Sequence, residues 1–388
     1  MKLLMIDLFV PYNGNVVERK LRELGHEVKR VKIECKYGDV KDISAMESME
    51  SEIKTYSPEA VFTVNFWPEA AFICHELGIY YIAWSYDCPQ NIPNEDDLNY
   101  DTNFVFLYDR AEVLKYRKLG IDRVFHLPLA VDTALYDRIG SAGKKYDISF
   151  VGRLYDSTLP GLLKDMDDFQ KGFIEGVVAA QQKIVGEFLP DEIITEETLK
   201  DIRASLVKNI GRDYGLTKRK LDYSIGTYVT FLERNYLCGL LSNEFDIHAF
   251  TDSDVSKIKE TLKNVHFHGR VSYEEEMPRV FKASKINLNP TLSMVKSGVS
   301  LRVLDVCGCG GLVLSRFGEE LAEMFAGGEE IVLYTSAEEA RDLAGFLLKN
   351  PDTAEKIARA GYERVKKDFT YEQRLTDIFD KVKADRKL

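Results

Sequence analysis

Two doubly wound α/β domains in tandem are predicted for this 388-residue chain by three observations. The length exceeds one ordinary core and suits two. Short apolar runs alternate with amphipathic stretches along most of the chain, the signature of βαβ units and parallel sheets. The alternation is interrupted once by a Pro-containing stretch of little periodicity, and then begins again.

The first series opens with Lys2 to Phe9, a nearly continuous apolar run of the kind that parallel strands covered on both faces require. Asn13-Gly-Asn15 breaks the chain and offers a helix cap. Val16, Val17, Leu21 and Leu24 mark one helical face, Gly25 stops it, and His26 to Ile33 forms the next strand. Further strands are predicted at 60–65, 80–85, 104–107 and 124–127. The linker is read at Leu127-Pro-Leu-Ala-Val-Asp-Thr133 with Ser141-Ala-Gly-Lys-Lys145 close behind. A second series follows at 146–151, 245–251, 265–268, 286–289, 311–315 and 331–334. Between its first two strands lies a long insert, about 159–241, helical in pattern and rich in Asp, Glu, Lys and Arg, which reads as a solvated surface. The domains are thus placed at 1–135 and 136–368, with a C-terminal helix, 369–388, crossing back to the first.

The formal net charge of −11 argues against nucleic acid as a partner. The apolar start MKLLMIDLFV is short, contains Asp7 and lacks a small-residue cleavage site, so a strand is expected rather than a secretory signal. No run is apolar enough for a membrane span. The six cysteines follow no disulfide or zinc-finger rhythm, and Cys307-Gly-Cys309 has a poor chelate spacing. A reducing, cytoplasmic setting is expected.

Ligands of open α/β folds bind beyond the carboxyl ends of the strands, so the loops there carry the functional candidates. Ser297-Gly-Val-Ser-Leu-Arg-Val-Leu-Asp305 reads as a Gly-containing loop entering a helix, followed by Cys307-Gly-Cys-Gly-Gly311 and an apolar strand. The amides of Gly298, Val299 and Ser300 suit a diphosphate at a helix N-terminus, and Asp305 suits the two hydroxyls of a ribose. A local pair between Arg302 and Asp305 is the open alternative. Asp87, before a Pro-containing turn, is a candidate general base or else a cap. Trp84 and Tyr86 are candidates for sugar stacking, with core packing as the alternative for Trp84. Asn13 and Asn15 are acceptor or phosphate contacts or helix caps, and His126, ending a strand beside the linker, is a further acceptor-side candidate. His26 and His75 read as structural. His266 and His268 share one face of a strand, with no nearby carboxylate expected to complete a metal set. No metal site is therefore assigned.

The segment 297–315 resembles the donor-binding element of GT-B glycosyltransferases, in which a loop, a helix bearing a glutamate, a cysteine-glycine turn and an apolar strand recur in order. The wider chain resembles the CgeB-like family. The resemblance rests on Tyr80-Tyr-Ile-Ala-Trp-Ser-Tyr-Asp-Cys-Pro89, Phe106-Leu-Tyr-Asp-Arg110 and His126-Leu-Pro-Leu-Ala130 in the first half. In the second it rests on Tyr146-Asp-Ile-Ser-Phe-Val-Gly-Arg153, Ile286-Asn-Leu-Asn-Pro290, Arg302-Val-Leu-Asp305 and Phe369-Thr-Tyr-Glu-Gln-Arg374. It implies the GT-B architecture: two Rossmann-like domains facing a cleft. It also implies a metal-independent transferase that moves a sugar from a nucleotide sugar, UDP-linked by prevalence, to a protein or glycan acceptor, with no further cofactor. Asp305 matches the ribose-binding glutamate. Gly152 and Arg153 match a turn that offsets diphosphate charge, and Gly269, Arg270 and Val271 match a base-contacting turn with Tyr273 nearby. Ser297 stands where many relatives carry a second, sugar-contacting glutamate, which leaves the stereochemical outcome open. A nucleotide-sugar epimerase and a catalytically silent scaffold share the same fold, and a homo-oligomer is compatible with it.

Overall fold

In a computed structural model the described residues are all but 9–12, 37, 39, 91, 141, 142, 214 and 386–388. Phe9 of the expected first strand and Ser141 and Ala142 of the expected linker lie outside them.

Two six-stranded sheets are present, and every strand pairing in both is parallel. The first contains β1 (Lys2–Asp7), β2 (Glu27–Lys32), β3 (Ala60–Val64), β4 (Tyr80–Ser85), β5 (Asn103–Leu107) and β6 (Val124–His126), in the order β2-β1-β3-β4-β5-β6. The second contains β7 (Tyr146–Val151), β8 (Ile247–Phe250), β9 (Val265–His268), β10 (Ser284–Asn289), β11 (Val313–Arg316) and β12 (Val332–Tyr334), in the order β12-β11-β10-β7-β8-β9. Strands β3, β4 and β5 are buried almost throughout, as parallel strands covered on both faces must be. Each sheet reverses its winding once: between β1 and β3 in the first, and between β7 and β10 in the second. These are the switch points at which open α/β sheets present loops to ligands.

The chain forms two compact units. One comprises Met1–Asp132, Ser297–Leu304 and Val365–Leu388; the other comprises Thr133–Lys296 and Asp305–Arg364. In the first unit, the helix Tyr371–Asp385 buries Tyr371, Leu375, Ile378, Phe379 and Val382, and Val131 bridges Thr370. His26 packs against Phe379 with the rings tilted by 33° and their centroids 4.0 Å apart, and burial pushes its pKa down to about 4, a structural placement.

In the second unit, five helices stand between β7 and β8 among the described residues: Leu159–Asp165, Asp168–Gln181, Pro190–Ile193, Glu196–Ile210 and Lys218–Ser242. They have a core of their own, which includes Leu159, Ile174, Ile202, Leu221, Ile225 and Val229. Thr217 caps the longest, its hydroxyl accepting from the Lys220 amide at 3.2 Å. Among the described residues no helix is long and apolar enough to cross a membrane.

Candidate active site

In the first unit, the ends of β3 and β4 are tied together by Asn65. This residue adopts a left-handed conformation, φ 65°, which Asn tolerates better than most side chains. Its Oδ1 accepts from the Tyr86 amide at 2.7 Å and the Asp87 amide at 3.2 Å. Its Nδ2 donates to Asp87 Oδ2 at 2.7 Å. The Gln90 side-chain amide donates to the Asp87 carbonyl. Asp87 keeps solvent access, yet desolvation by the surrounding protein raises its pKa, while the Asn65 hydrogen bond acts in the opposite sense. A fixed, accessible carboxylate with a raised proton affinity has the attributes of a general base.

The aromatic candidates beside it are placed differently from the sugar-stacking expectation. Trp84 is 0% exposed, with its ring 5.1 Å from Tyr86 and 5.8 Å from Tyr371, and Tyr86 is itself buried. Both are core residues: neither ring face is open to a sugar. Asn13 is wholly buried and precedes the Gly14–Glu23 helix without a side-chain cap bond. Asn15 is exposed and accepts from Arg30 at 2.8 Å. His126 is half-buried at the end of β6, paired with Leu107.

The loop Ser297–Ser300, which clusters with the first unit, is held by Asp109. The amides of Ser297 and Gly298 donate to Asp109 Oδ2 at 3.1 and 3.2 Å, and the Ser297 hydroxyl donates to Oδ1 at 3.0 Å. The same carboxylate caps the Arg110–Lys118 helix through the Glu112 amide. A Cβ on Gly298 would lie 2.7 Å from the Tyr108 ring and 2.9 Å from Asp109 Cα, so close approach dictates glycine here. The Gly298 amide, expected to face a diphosphate, is thus engaged by a protein carboxylate. Val299 is buried, and Ser300 and Arg302 are half-buried.

In the second unit, the switch point between β7 and β10 is closed by Arg234, from the Lys218–Ser242 helix. Its guanidinium is 8% exposed and donates to the carbonyls of Arg153, after β7, and of Pro290, after β10. It lies over the rings of Phe150 and Tyr155 at 5.4 and 5.1 Å. The same helix supports the loop beyond Pro290: Ser293 donates to the Gly226 carbonyl at 2.9 Å, and Thr230 donates to Ser293 at 3.0 Å. The Arg153 side chain, just after β7, is exposed and pairs with the Asp252 carboxylate at 3.4 Å. Gly152 sits between these two arginines, its amide bonded to the Phe250 carbonyl.

Asp305 is 1% exposed. Its Oδ1 accepts from the hydroxyls of Tyr136 and Tyr273 at 2.8 and 2.7 Å. Two protein hydroxyls therefore stand on the oxygen expected to receive a ribose. Burial and the adjacent carboxylate raise the Tyr136 phenol well above its ordinary value, which keeps it a donor. Tyr273, expected near a base-contacting turn, instead reaches Asp305, while Gly269 and Arg270 are exposed and Val271 is half-buried.

Residues 235–380 match a family model described as glycosyl transferase-like. Among solved structures, the chain is similar to sucrose-phosphate synthase from Thermosynechococcus elongatus, with 11% identity, 99% of each chain covered and a TM-score of 0.60. It is similar to Anabaena Alr3699/HepE in complex with UDP-glucose, at 9% identity, 99% of this chain and 100% of that one, TM-score 0.60. A glycosyltransferase from Rickettsia africae matches at 12% identity over 100% of this chain and 98% of that one, TM-score 0.57. No curated protein matches the sequence. The fold is GT-B.

Within this GT-B chain, sequence reasoning missed four residues. Asn65 ends a strand and carried no motif; a polar residue closing an apolar run beside the Asp87 strand was the available signal. Arg234 belongs to the charge-rich insert whose composition reads as a solvated surface, although Leu237, Cys238 and Leu241 mark a buried face on the same helix. Tyr136 falls between the two stretches read as linker, at the first position of the second domain, where no motif marks it. Asp246 is the fourth, and it corrects the expectation that no carboxylate lies near His266 and His268 of β9. Its oxygens lie 3.0 Å from His248 Nε2 and 3.1 Å from His266 Nε2.

Proposed function

We infer that the chain is a glycosyltransferase that moves a sugar from a nucleotide sugar, preferably UDP-linked, to a hydroxyl of a protein or glycan acceptor, needing neither metal nor further cofactor. One observation carries the reading. The switch point of the second sheet, of which β10 lies within the stretch that matches the glycosyl transferase-like model and β7 lies before it, is built on a buried guanidinium, with a second, exposed arginine just after β7. Positive charge fixed at the carboxyl ends of parallel strands suits a departing nucleoside diphosphate, whose charge grows as the glycosidic bond breaks. Arg153 would meet that charge; Arg234 holds the two loops and contributes its field. Asp87, oriented by Asn65, would take the proton of the acceptor hydroxyl as its oxygen attacks the sugar carbon. Asp305 would turn from its tyrosine partners to the ribose hydroxyls.

A catalytically silent sugar-binding or scaffold protein is favoured by one observation: Gly298 and Asp305 already have protein partners. Thermal-shift screening against UDP, GDP, ADP and CMP sugars, followed by transfer assays, separates the two. The transferase reading expects stabilisation by one nucleotide class, by mass action, and product formation. It also expects Arg153→Ala to lose mainly kcat, because the diphosphate charge develops in the transition state. No stabilisation by any nucleotide sugar and no product supports the scaffold; a donor sugar inverted at one carbon supports an epimerase.

A further inference from the structure

Strand β9 is the outer edge of the second sheet, and three of its neighbouring side chains are arranged as metal ligands. The parallel register sets His248 of β8 directly beside His266 of β9. Side chains alternate along a strand, so Asp246 and His248 project to the same side. The Asp246 carboxylate spans both imidazoles, one oxygen 3.0 Å from His248 Nε2 and the other 3.1 Å from His266 Nε2. One ligand atom from each of the three residues falls within 4.8 Å of the others. Four-coordinate zinc, bonded at about 2.0–2.1 Å, needs ligand atoms about 3.3 Å apart, so small side-chain rotations suffice.

The surroundings supply what such a site uses beyond its ligands. His248 Nδ1 lies 2.8 Å from His268 Nε2, and the two rings stack with centroids 5.0 Å apart. The ring of Tyr146, on β7, lies 4.3 Å from that of His248 and fences the inner side. When His248 donates through Nδ1 to His268, its Nε2 lone pair faces the Asp246 carboxylate, an arrangement that a cation completes. The opposite tautomer places a proton there instead, and a metal ion displaces that proton on binding. A partner that fixes the tautomer of a ligating histidine is a regular feature of zinc sites.

The geometry points to a binding site for a divalent transition-metal ion of the zinc class, ligated by Asp246, His248 and His266, with His268 as a positioning residue. Asp246 precedes β8 at the amino end of the sheet, opposite the loops assigned to donor binding. The ion takes no part in the proposed transfer. It clips the edge strand β9 to β8 and stabilises the second unit by binding the folded form.

Calorimetric titration of zinc chloride into metal-stripped, full-length protein tests this. One equivalent is expected to bind and to raise Tm. The variants His266→Ala and Asp246→Asn should each weaken binding by at least about 30-fold, and His268→Ala by about 10- to 100-fold with unchanged stoichiometry. His266 is exposed, so its alanine variant should retain the wild-type circular dichroism, which checks folding. Cobalt bound at the same site should show the visible bands of a four-coordinate ion. Equal zinc affinity in the wild type and His266→Ala, or no zinc binding by the wild type, overturns the proposal.

Discussion

Asp87 and Asp305 are both carboxylates singled out by sequence pattern, and the structure gives them opposite surroundings. Asp87 closes β4 in the first unit with solvent access, one side-chain amide directed at it and a pKa raised by desolvation. Asp305 is buried in the second unit under two tyrosine hydroxyls. A proton acceptor must stay reachable and must not be saturated with donors, because each hydrogen bond to the charged form lowers its basicity. An acceptor that fixes geometry gains from saturation. Asp87 fits the first description and Asp305 the second, although sequence alone presents both as acidic residues near glycine or proline turns.

The largest expected effect is on Asp87. Asp87→Asn should lower kcat for transfer by about 10²- to 10⁴-fold, the range for a general base, with Tm nearly unchanged. Full activity with a verified acceptor removes Asp87 from the chemistry. Asp305→Ala sharpens the comparison from the other side. It leaves two phenols without their acceptor, one of them buried, and should cost about 1–3 kcal/mol of unfolding free energy as well as nucleotide affinity. Chemical denaturation showing wild-type stability would mean that the tyrosines find other partners.

Asn65→Gly is a subtler probe. Glycine accepts the left-handed backbone, so the fold should survive while the clamp on Asp87 is lost. A fall in kcat of about tenfold with an unchanged donor KM is expected; a change confined to KM would place Asn65 in binding.

The smallest expected effect is a slope with pH. Glu112, buried beside Asp109 in the first unit, has its pKa raised from 4.5 to about 7, chiefly by burial. The folded state then binds the proton more tightly than the unfolded state, so this group's contribution to stability falls as pH rises from about 4.5 to about 7. The slope is at most about 1.4 kcal/mol per pH unit. Glu112→Gln should flatten that part of the profile, and identical slopes in the two proteins would contradict the assignment.

The strands were legible because hydrophobic runs bounded by turn residues leave few alternatives: twelve were expected, and twelve are present within two or three residues at their ends. The site was less legible because its partners are distant in sequence. Nothing near Asp305 announces Tyr136, 169 positions away, and nothing near Gly298 announces Asp109, 189 positions away. Pattern identified Trp84 and Tyr86 by residue type, but only packing shows both rings enclosed. Arg234 was hidden by averaging, since a helix rich in charge can still bury a single guanidinium when backbone carbonyls receive it.

The division of labour between the two carboxylates is tested most directly by titrating UDP into the wild type and Asp87→Asn by calorimetry and assaying both for transfer with the same donor and acceptor. The account predicts equal UDP affinity in the two proteins and transfer by the wild type alone. UDP binding that disappears with Asp87, or a wild type that binds no nucleoside diphosphate, would contradict it.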